Sequence, residues 1–284
     1  MKFSIMTIVL NEDVFIEPCL NGIYDFADEI ILVEGCVPYT RWLGQATAEG
    51  GSIDNTSSII KNYMNSVDSK LNKIQYVPPH IYSSKIEMRN EALKRCSGEW
   101  VMLVDADEFY TEEDLLKIRH RAAELNKNHP KAAGITYPFK QFWSMSLYAE
   151  GVIMERVFRK TSTAMYDGIP KDGQNIYIDG QKLWGSGRTI HHDDIFCYHY
   201  SPLLINNYMF NRFKIKSKYY GARQLNIQTE SEFIDKQGMV ERAAEKEQIR
   251  LMKLVLDTKE CSKTEHPVAF KKSKLYRDFY ELVY

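Results

Sequence analysis

The chain has 284 residues, 44% of them hydrophobic and 26% charged, with a formal net charge of −1. That length supports one large domain, or a domain with an appendage, around a full core, and a charge so near zero excludes a field built for nucleic acid. No stretch approaches the roughly 20 apolar residues of a membrane span. The run Phe3–Leu10 is cut short by Asn11-Glu12-Asp13 before it could serve as a secretory signal. Five widely spaced cysteines, Cys19, Cys36, Cys96, Cys197 and Cys261, lack zinc-ligand spacing and suit a reduced compartment. A cytoplasmic protein is the simplest expectation.

In chain order, the first strand is expected over Phe3–Leu10, followed by a helix to about Phe26 with Val14, Phe15, Leu20 and Ile23 facing in. Pro18 falls in an early turn, where its missing N–H costs least. Glu29–Val33 reads as a second buried strand, and a polar, glycine-containing loop runs from Glu34 to Ser52. Asp54 is placed to cap a helix carrying Ile59, Ile60, Tyr63 and Met64. A third strand, Lys73–Val77, ends at the breaker Pro78-Pro79. A helix over Lys85–Cys96 leads through Ser97-Gly98 into the unbroken apolar run Trp100–Val104, which ends in Asp105-Ala106-Asp107-Glu108. Thr111-Glu112-Glu113-Asp114 has the pattern of a capping box opening a helix to about Leu125.

Three strand–helix alternations predict an α/β fold with a doubly wound, mostly parallel sheet and right-handed crossovers. From Ala132 the pattern changes to short β-like runs, Gly134–Phe139, Val152–Arg159, Asn175–Ile178 and Ile195–Tyr200, which predict an irregular mixed β half. Pro202 then opens a helical C-terminal extension, with helices expected over 203–220 and 230–256.

The chemistry concentrates after the fourth strand. Open α/β sheets bind ligands outside the carboxyl ends of their strands. In extended backbone Asp105 and Asp107 point to the same side. Two hard oxygen ligands there suit Mg2+ or Mn2+ held against a phosphate. Phosphohydrolases of the haloacid dehalogenase type also carry D-x-D after an apolar strand, but early in the chain and followed by threonine or valine; here the strand is fourth and Glu108 follows. Lys85 and Arg89, four apart on one helical face, are placed to hold a diphosphate through charge-assisted hydrogen bonds. Of Arg156 and Arg159, one is expected at a phosphate and the other in solvent. His191-His192-Asp193-Asp194 is the densest polar cluster and reads either as a loop near the site or as a solvated loop with no role.

Four motifs in order over the first 110 residues resemble the family-two-like glycosyltransferases of GT-A fold. They are the apolar run into Asn11-Glu12, the turn Gly51-Ser52-Ile53-Asp54-Asn55-Thr56, the pair Arg89-Asn90 with Ser97-Gly98-Glu99-Trp100, and Asp105-Ala106-Asp107-Glu108. The resemblance implies a GT-A-type, Rossmann-like domain over 1–201, with a nucleotide-sugar half over 1–110, an acceptor half over 111–201 and the helical extension over 202–284. It implies transfer of a sugar, with a UDP-sugar favoured, to a saccharide or lipid-linked glycan, with an inverting mechanism favoured over a retaining one. Mn2+ or Mg2+ would be bound by Asp105, Asp107 and His199, the last in a late His-Tyr-Ser setting, with Asp107 in direct contact and Glu108 as an orienter. The donor-binding set is Thr7, Val9, Asn11, Glu34, Asp54, Lys85, Arg89, Asp105 and Ala106, with Glu34 against the base.

Inversion needs a carboxylate to deprotonate the acceptor; of the acids in the second half, Asp172 and Asp193 are favoured. Trp143, Tyr148 and Trp184 are candidates for stacking on sugars. In the tail, Lys271, Lys272, Lys274 and Arg277 interleave with Phe270, Tyr276, Phe279 and Tyr280. That pattern suits peripheral contact with an anionic membrane, or, as the favoured reading, a terminal helix docked on its own domain or on a second copy in a homodimer. A nucleotidyltransferase, or a nucleotide-binding module without turnover, are the alternatives.

Overall fold

Four strands form a parallel layer in the order β3-β2-β1-β4: β1 (Phe3–Val9), β2 (Glu29–Cys36), β3 (Ile74–Ile81) and β4 (Trp100–Leu103). The near-continuous apolar sequences of β1, β2 and β4 are those of strands covered on both faces, whereas β3 is buried at only some positions. Helices α1 (Ile16–Ile23) and α3 (Thr56–Ser66) pack one face through Leu20, Ile23, Ile60 and Tyr63, and α4 (Lys85–Arg95) packs the other through Met88, Ala92 and Leu93. The short helix α2 (Pro38–Trp42) lies in the long loop after β2. This computed structural model describes residues 1–167 and 175–200, positions 211, 214, 215, 217, 218, 222, 225 and 227, and segments 229–253, 259–260 and 265–277. Asp172, Cys261, Phe279, Tyr280 and most of the expected helix 203–220 lie outside the described residues.

β3 corrects one expectation, since it runs through Pro78 and Pro79 to Ile81. It stands at the end of the sheet order, and an edge strand has one side on which proline's missing N–H breaks no ladder bond. The turn into β4 is tied to β1 and β2. Gly98 N donates to Ser4 Oγ at 2.7 Å, and Ser97 Oγ donates to Glu29 Oε2 at 2.7 Å. A Cβ on Gly98 would lie 2.6 Å from Ser4 Oγ and 2.7 Å from Ser4 N, so only glycine fits. Burial would raise Glu29, but hydrogen bonds from Ser4, Ser97 and Lys2 outweigh it and bring the carboxyl down to about 2.

The second half extends the sheet with mixed polarity. After β5 (Glu108–Phe109), α5 (Glu112–Asn128) opens with the Thr111–Asp114 capping box, both reciprocal bonds being present. The hairpin of β6 (Gly134–Phe142) and β7 (Leu147–Arg159) joins the layer where β7 runs antiparallel to β4. A separate small sheet holds β8 (Met165–Asp167), β9 (Asn175–Ile178) and β10 (Gln181–Lys182). β11 (Thr189–His191) and β12 (Cys197–His199) lie parallel to β6, and β12 also pairs with β5.

In the extension, Glu230–Asp235 and Gln237–Lys253 are helices parted at Lys236. The tail docks on its own domain: Phe270, in the short helix Val268–Lys271, stacks on Tyr200 at 3.7 Å between ring centroids and lies 5.1 Å from Phe109. No helix among the described residues is long and apolar enough to cross a membrane.

His266 joins that docking. Its Nε2 donates to Met145 O at 2.8 Å, since a carbonyl only accepts, and its Nδ1 accepts from Tyr200 OH at 2.7 Å. The neutral ring satisfies both partners, and burial drives its pKa down to about 4. Between pH 6.5 and 4 the unfolded chain therefore binds a proton that the native state refuses, so stability falls as pH falls through that window. The expected loss approaches 3 kcal/mol at about 1.36 kcal/mol per unit. Urea titrations at pH 7 and pH 4.5 should show it, and His266→Gln, which keeps a donor and an acceptor but does not titrate, should lose this part of the slope.

Candidate active site

β4 stops at Leu103, although Val104 N still donates to Met6 O at 3.0 Å. The chain then turns: Glu108 N donates to Asp105 O at 2.9 Å and Asp105 N to Glu108 Oε2 at 3.3 Å. This turn separates the two aspartates. Asp105 accepts from Arg156 Nη2 at 2.9 Å and stands 3.8 Å from Arg89 Nη2, whereas Asp107 stands 3.6 Å from His199 Nε2. Asp105 and Asp107 thus do not converge from one side as extended backbone would require, because the period-two alternation ends with the strand. β12 delivers His199 opposite Glu108, and Tyr200 N donates to Asp107 O at 2.9 Å, which locks the histidine beside the turn.

Beneath the turn, Glu108 is fully buried and bonded to the buried Arg156 guanidinium, which also lies over the Phe139 ring at 5.3 Å. Burial raises Glu108, the Asp105 and Asp107 charges push the same way, and Arg156 opposes them. Asp105 is 28% exposed. Its partial burial would raise it, but Arg156, Arg89, Lys85 and His199 outweigh that and hold it below the usual carboxylate range. Sequence reasoning expected a phosphate for Arg156 or Arg159; instead Arg156 serves two carboxylates and Arg159 sits 5.3 Å over the Trp100 ring. No local signal could have named the partners of Arg156, which lie about fifty positions earlier. Asn90, beside Arg89, exchanges hydrogen bonds with the Tyr166 backbone at 2.9 and 2.8 Å, so it ties α4 to the small sheet.

An open cleft of about 250 Å³ lies over this turn. Of the residues expected at the donor and metal, it is lined by Val9, Asn11, Lys85, Arg89, Asp105, Ala106, Asp107 and His199. Others lie elsewhere. Thr7 is fully buried within β1. Glu34 is also fully buried and accepts from Ser52 N at 2.7 Å, from Ser57 Oγ at 2.8 Å and from Tyr76 OH, so it anchors the start of α3 and does not line the cleft. Asp54, one residue before the N-cap Asn55, accepts from Thr56 N at 2.9 Å and Asp13 N at 3.2 Å, so it ties the start of α3 to the loop after β1 and does not line the cleft. Asp193 is 92% exposed, bonded to His191 at 2.7 Å, and does not line the cleft; its neighbour Asp194 accepts from Lys117 through its carbonyl at 2.8 Å. The polar cluster at 191–194 is therefore the solvated-loop alternative. Its polar density reflects solvent and the basic face of α5.

Among the described residues no three His, Cys, Asp or Glu side chains group as a metal site. Asp107 and His199 supply one carboxylate and one imidazole at the cleft wall, which is a fitting protein share for a cation whose remaining ligands are phosphate and water. His199 would have been found by resemblance alone, since β12 meets β5 only through the fold.

The glycosyl transferase family 2 model matches residues 48–191. A curated relative, the poly(ribitol-phosphate) beta-N-acetylglucosaminyltransferase TarS of Staphylococcus aureus, is 27% identical over 134 residues. That alignment covers 45% of this chain, and the chain spans 20% of the relative's length. Similar solved structures include TarS 1–349, with a TM-score of 0.44 at 19% identity over 81% of this chain and 67% of that one. The mannosyltransferase PcManGT of Pyrobaculum calidifontis, solved with GDP-Man and Mn2+, gives 0.49 at 13% identity over 99% of this chain and 83% of that one.

The ion cluster under the turn has a measurable signature. Arg156→Met leaves Glu108 buried without its cation, and breaking a buried pair from one side costs about 3–5 kcal/mol. Urea denaturation should show that loss. Adding Glu108→Gln to Arg156→Met should recover part of it, since the buried carboxyl, which must otherwise take up a proton, is then gone.

Proposed function

Because the chain belongs to glycosyl transferase family 2, we propose that it moves a sugar from a nucleoside-diphosphate donor, a UDP-sugar by preference, to a hydroxyl of a saccharide or lipid-linked glycan. The observation that carries this reading is the pairing of Asp107 with His199 at 3.6 Å, on the wall of a cleft that Lys85 and Arg89 also line. The curated relative is named as an N-acetylglucosaminyltransferase, which is a sugar transfer of the same kind.

Asp107 and His199 would hold Mn2+ or Mg2+. Such an ion, when bound, supplies Lewis-acid stabilisation of the charge that develops on the departing diphosphate. Lys85 and Arg89 bring cationic donors to the same wall, where charge-assisted hydrogen bonds to phosphate oxygens are strong and directional. Arg89 is kept in place by Asp105, which Arg156 positions in turn. Asp105 therefore acts as a strut between two arginines on the diphosphate side, and Asp107, the more buried of the two, is left paired with His199 on the cleft wall. Among the described residues, the carboxylates lining the cleft are Glu12, Asp105 and Asp107, all from the donor half. The acceptor base is therefore sought outside them, with Asp172 as the candidate.

Asp107→Ala should cut sugar transfer by more than about a hundredfold, beyond the 10–100-fold typical of groups that only orient metal ligands, while the unliganded protein melts as before. In the parent protein UDP with Mn2+ should raise the melting temperature, and EDTA should abolish the rise; at a hundred times Kd, linkage gives about 2.7 kcal/mol. Full activity in Asp107→Ala, or no stabilisation by UDP, GDP or CDP with metal, would overturn the reading.

A further inference from the structure

At the end of β2, where a nucleobase would be met, the native strand offers no reader. Glu34 is consumed by Ser52, Ser57 and Tyr76. Gly35 cannot be replaced by a residue with a side chain, because a Cβ there would lie 2.5 Å from His80 O and 2.6 Å from the Tyr82 ring. The cleft at this end is lined by Gly35 and Cys36 of β2, by Val37, and by Thr40, Leu43 and Gln45 of the segment inserted after β2, among which Gln45 carries the one side-chain amide.

That segment is built in, and it is braced from two sides. Asn11, in the left-handed region at φ 55°, donates Nδ2 to Gln45 O at 2.7 Å and accepts from Ile53 N at 2.8 Å. Few residues besides asparagine and glycine hold that backbone. From behind, Tyr39 OH donates to Ile227 O, and the Trp42 ring lies 5.9 Å from that of Phe233 in the C-terminal extension. Gln45 Nε2 donates to Leu43 O at 3.3 Å. A carbonyl only accepts, so this bond fixes which end of the amide is nitrogen. Gln45 Oε1 takes no hydrogen bond from the described residues.

Resting on the donor-site reading above, we propose that Gln45 is the nucleobase reader. Its Oε1 accepts the ring N–H of an imide-type edge, and the second hydrogen on Nε2 meets the adjacent ring carbonyl. Uracil and guanine present that edge. Held in the same pose, cytosine and adenine set an acceptor nitrogen against Oε1 and an amino group against Nε2, which leaves polar groups unpaired. The inserted segment thus takes over the role that Glu34 has lost to the fold.

The test is calorimetric titration of the full chain and of Gln45→Leu with UDP, GDP, CDP and inorganic pyrophosphate, each with Mn2+. The parent should bind UDP or GDP about tenfold more tightly than CDP, the worth of roughly one neutral hydrogen bond and its mismatch. Gln45→Leu should bring the preferred nucleotide down to the level of CDP and leave pyrophosphate affinity unchanged. The assignment falls if the parent binds pyrophosphate but shows no preference among nucleotides. It also falls if Gln45→Leu keeps the preference, or weakens pyrophosphate by the same factor as the nucleotide. If the parent binds neither pyrophosphate nor any nucleotide, the donor-site reading fails, and the base assignment with it.

Discussion

A single buried guanidinium determines how three carboxylates fit into the four residues from Asp105 to Glu108. An ion buried without a partner costs several kcal/mol, and Glu108 has no access to solvent. Arg156 answers it from β7, and its place there is set by main-chain pairing, since β7 runs against β4 with Val157 opposite Met102 and Arg159 opposite Trp100. The antiparallel half therefore supplies the countercharge that lets the parallel half end in acids. Everything above the turn follows from that. Asp105 is held between Arg156 and Arg89, and Asp107 is left facing His199.

Several residues of the family motifs support the frame of the site more than its chemistry. Gly98 lets the β4 turn press on Ser4, Asn90 joins α4 to Tyr166, and Asp54 fastens the first turn of α3. Each makes main-chain hydrogen bonds at or near 3 Å, where a lengthened side chain would be misplaced. A motif can thus recur because it holds a cleft open at a set width, whatever enters it.

The parallel layer was legible in the sequence because its signals are local. Apolar runs gave β1, β2 and β4, and the Thr111–Asp114 spacing gave the start of α5. The Pro78-Pro79 pair misled because a strand's rank in the sheet cannot be read from its own residues. Glu34 was ambiguous for another reason: an acid that braces a helix start and an acid that binds a ligand occupy the same sequence pattern. Arg156 and the bracing of α2 by Phe233 were illegible because both depend on contacts between segments far apart in sequence. The density of acids and histidines at 191–194 drew attention to a loop whose charges face solvent and α5.

The stack of Phe270 on Tyr200, closed by His266, bears on the order of events during synthesis. The ribosome completes the parallel layer at Leu103 and extends Phe109 soon after, yet the ring that covers Phe109 and Tyr200 is Phe270. At roughly 5–20 residues per second, that interval is on the order of ten to thirty seconds. From Tyr200 onward the nascent chain carries an uncovered aromatic face beside a half-assembled cleft. That is the span in which a chaperone would have most to hold.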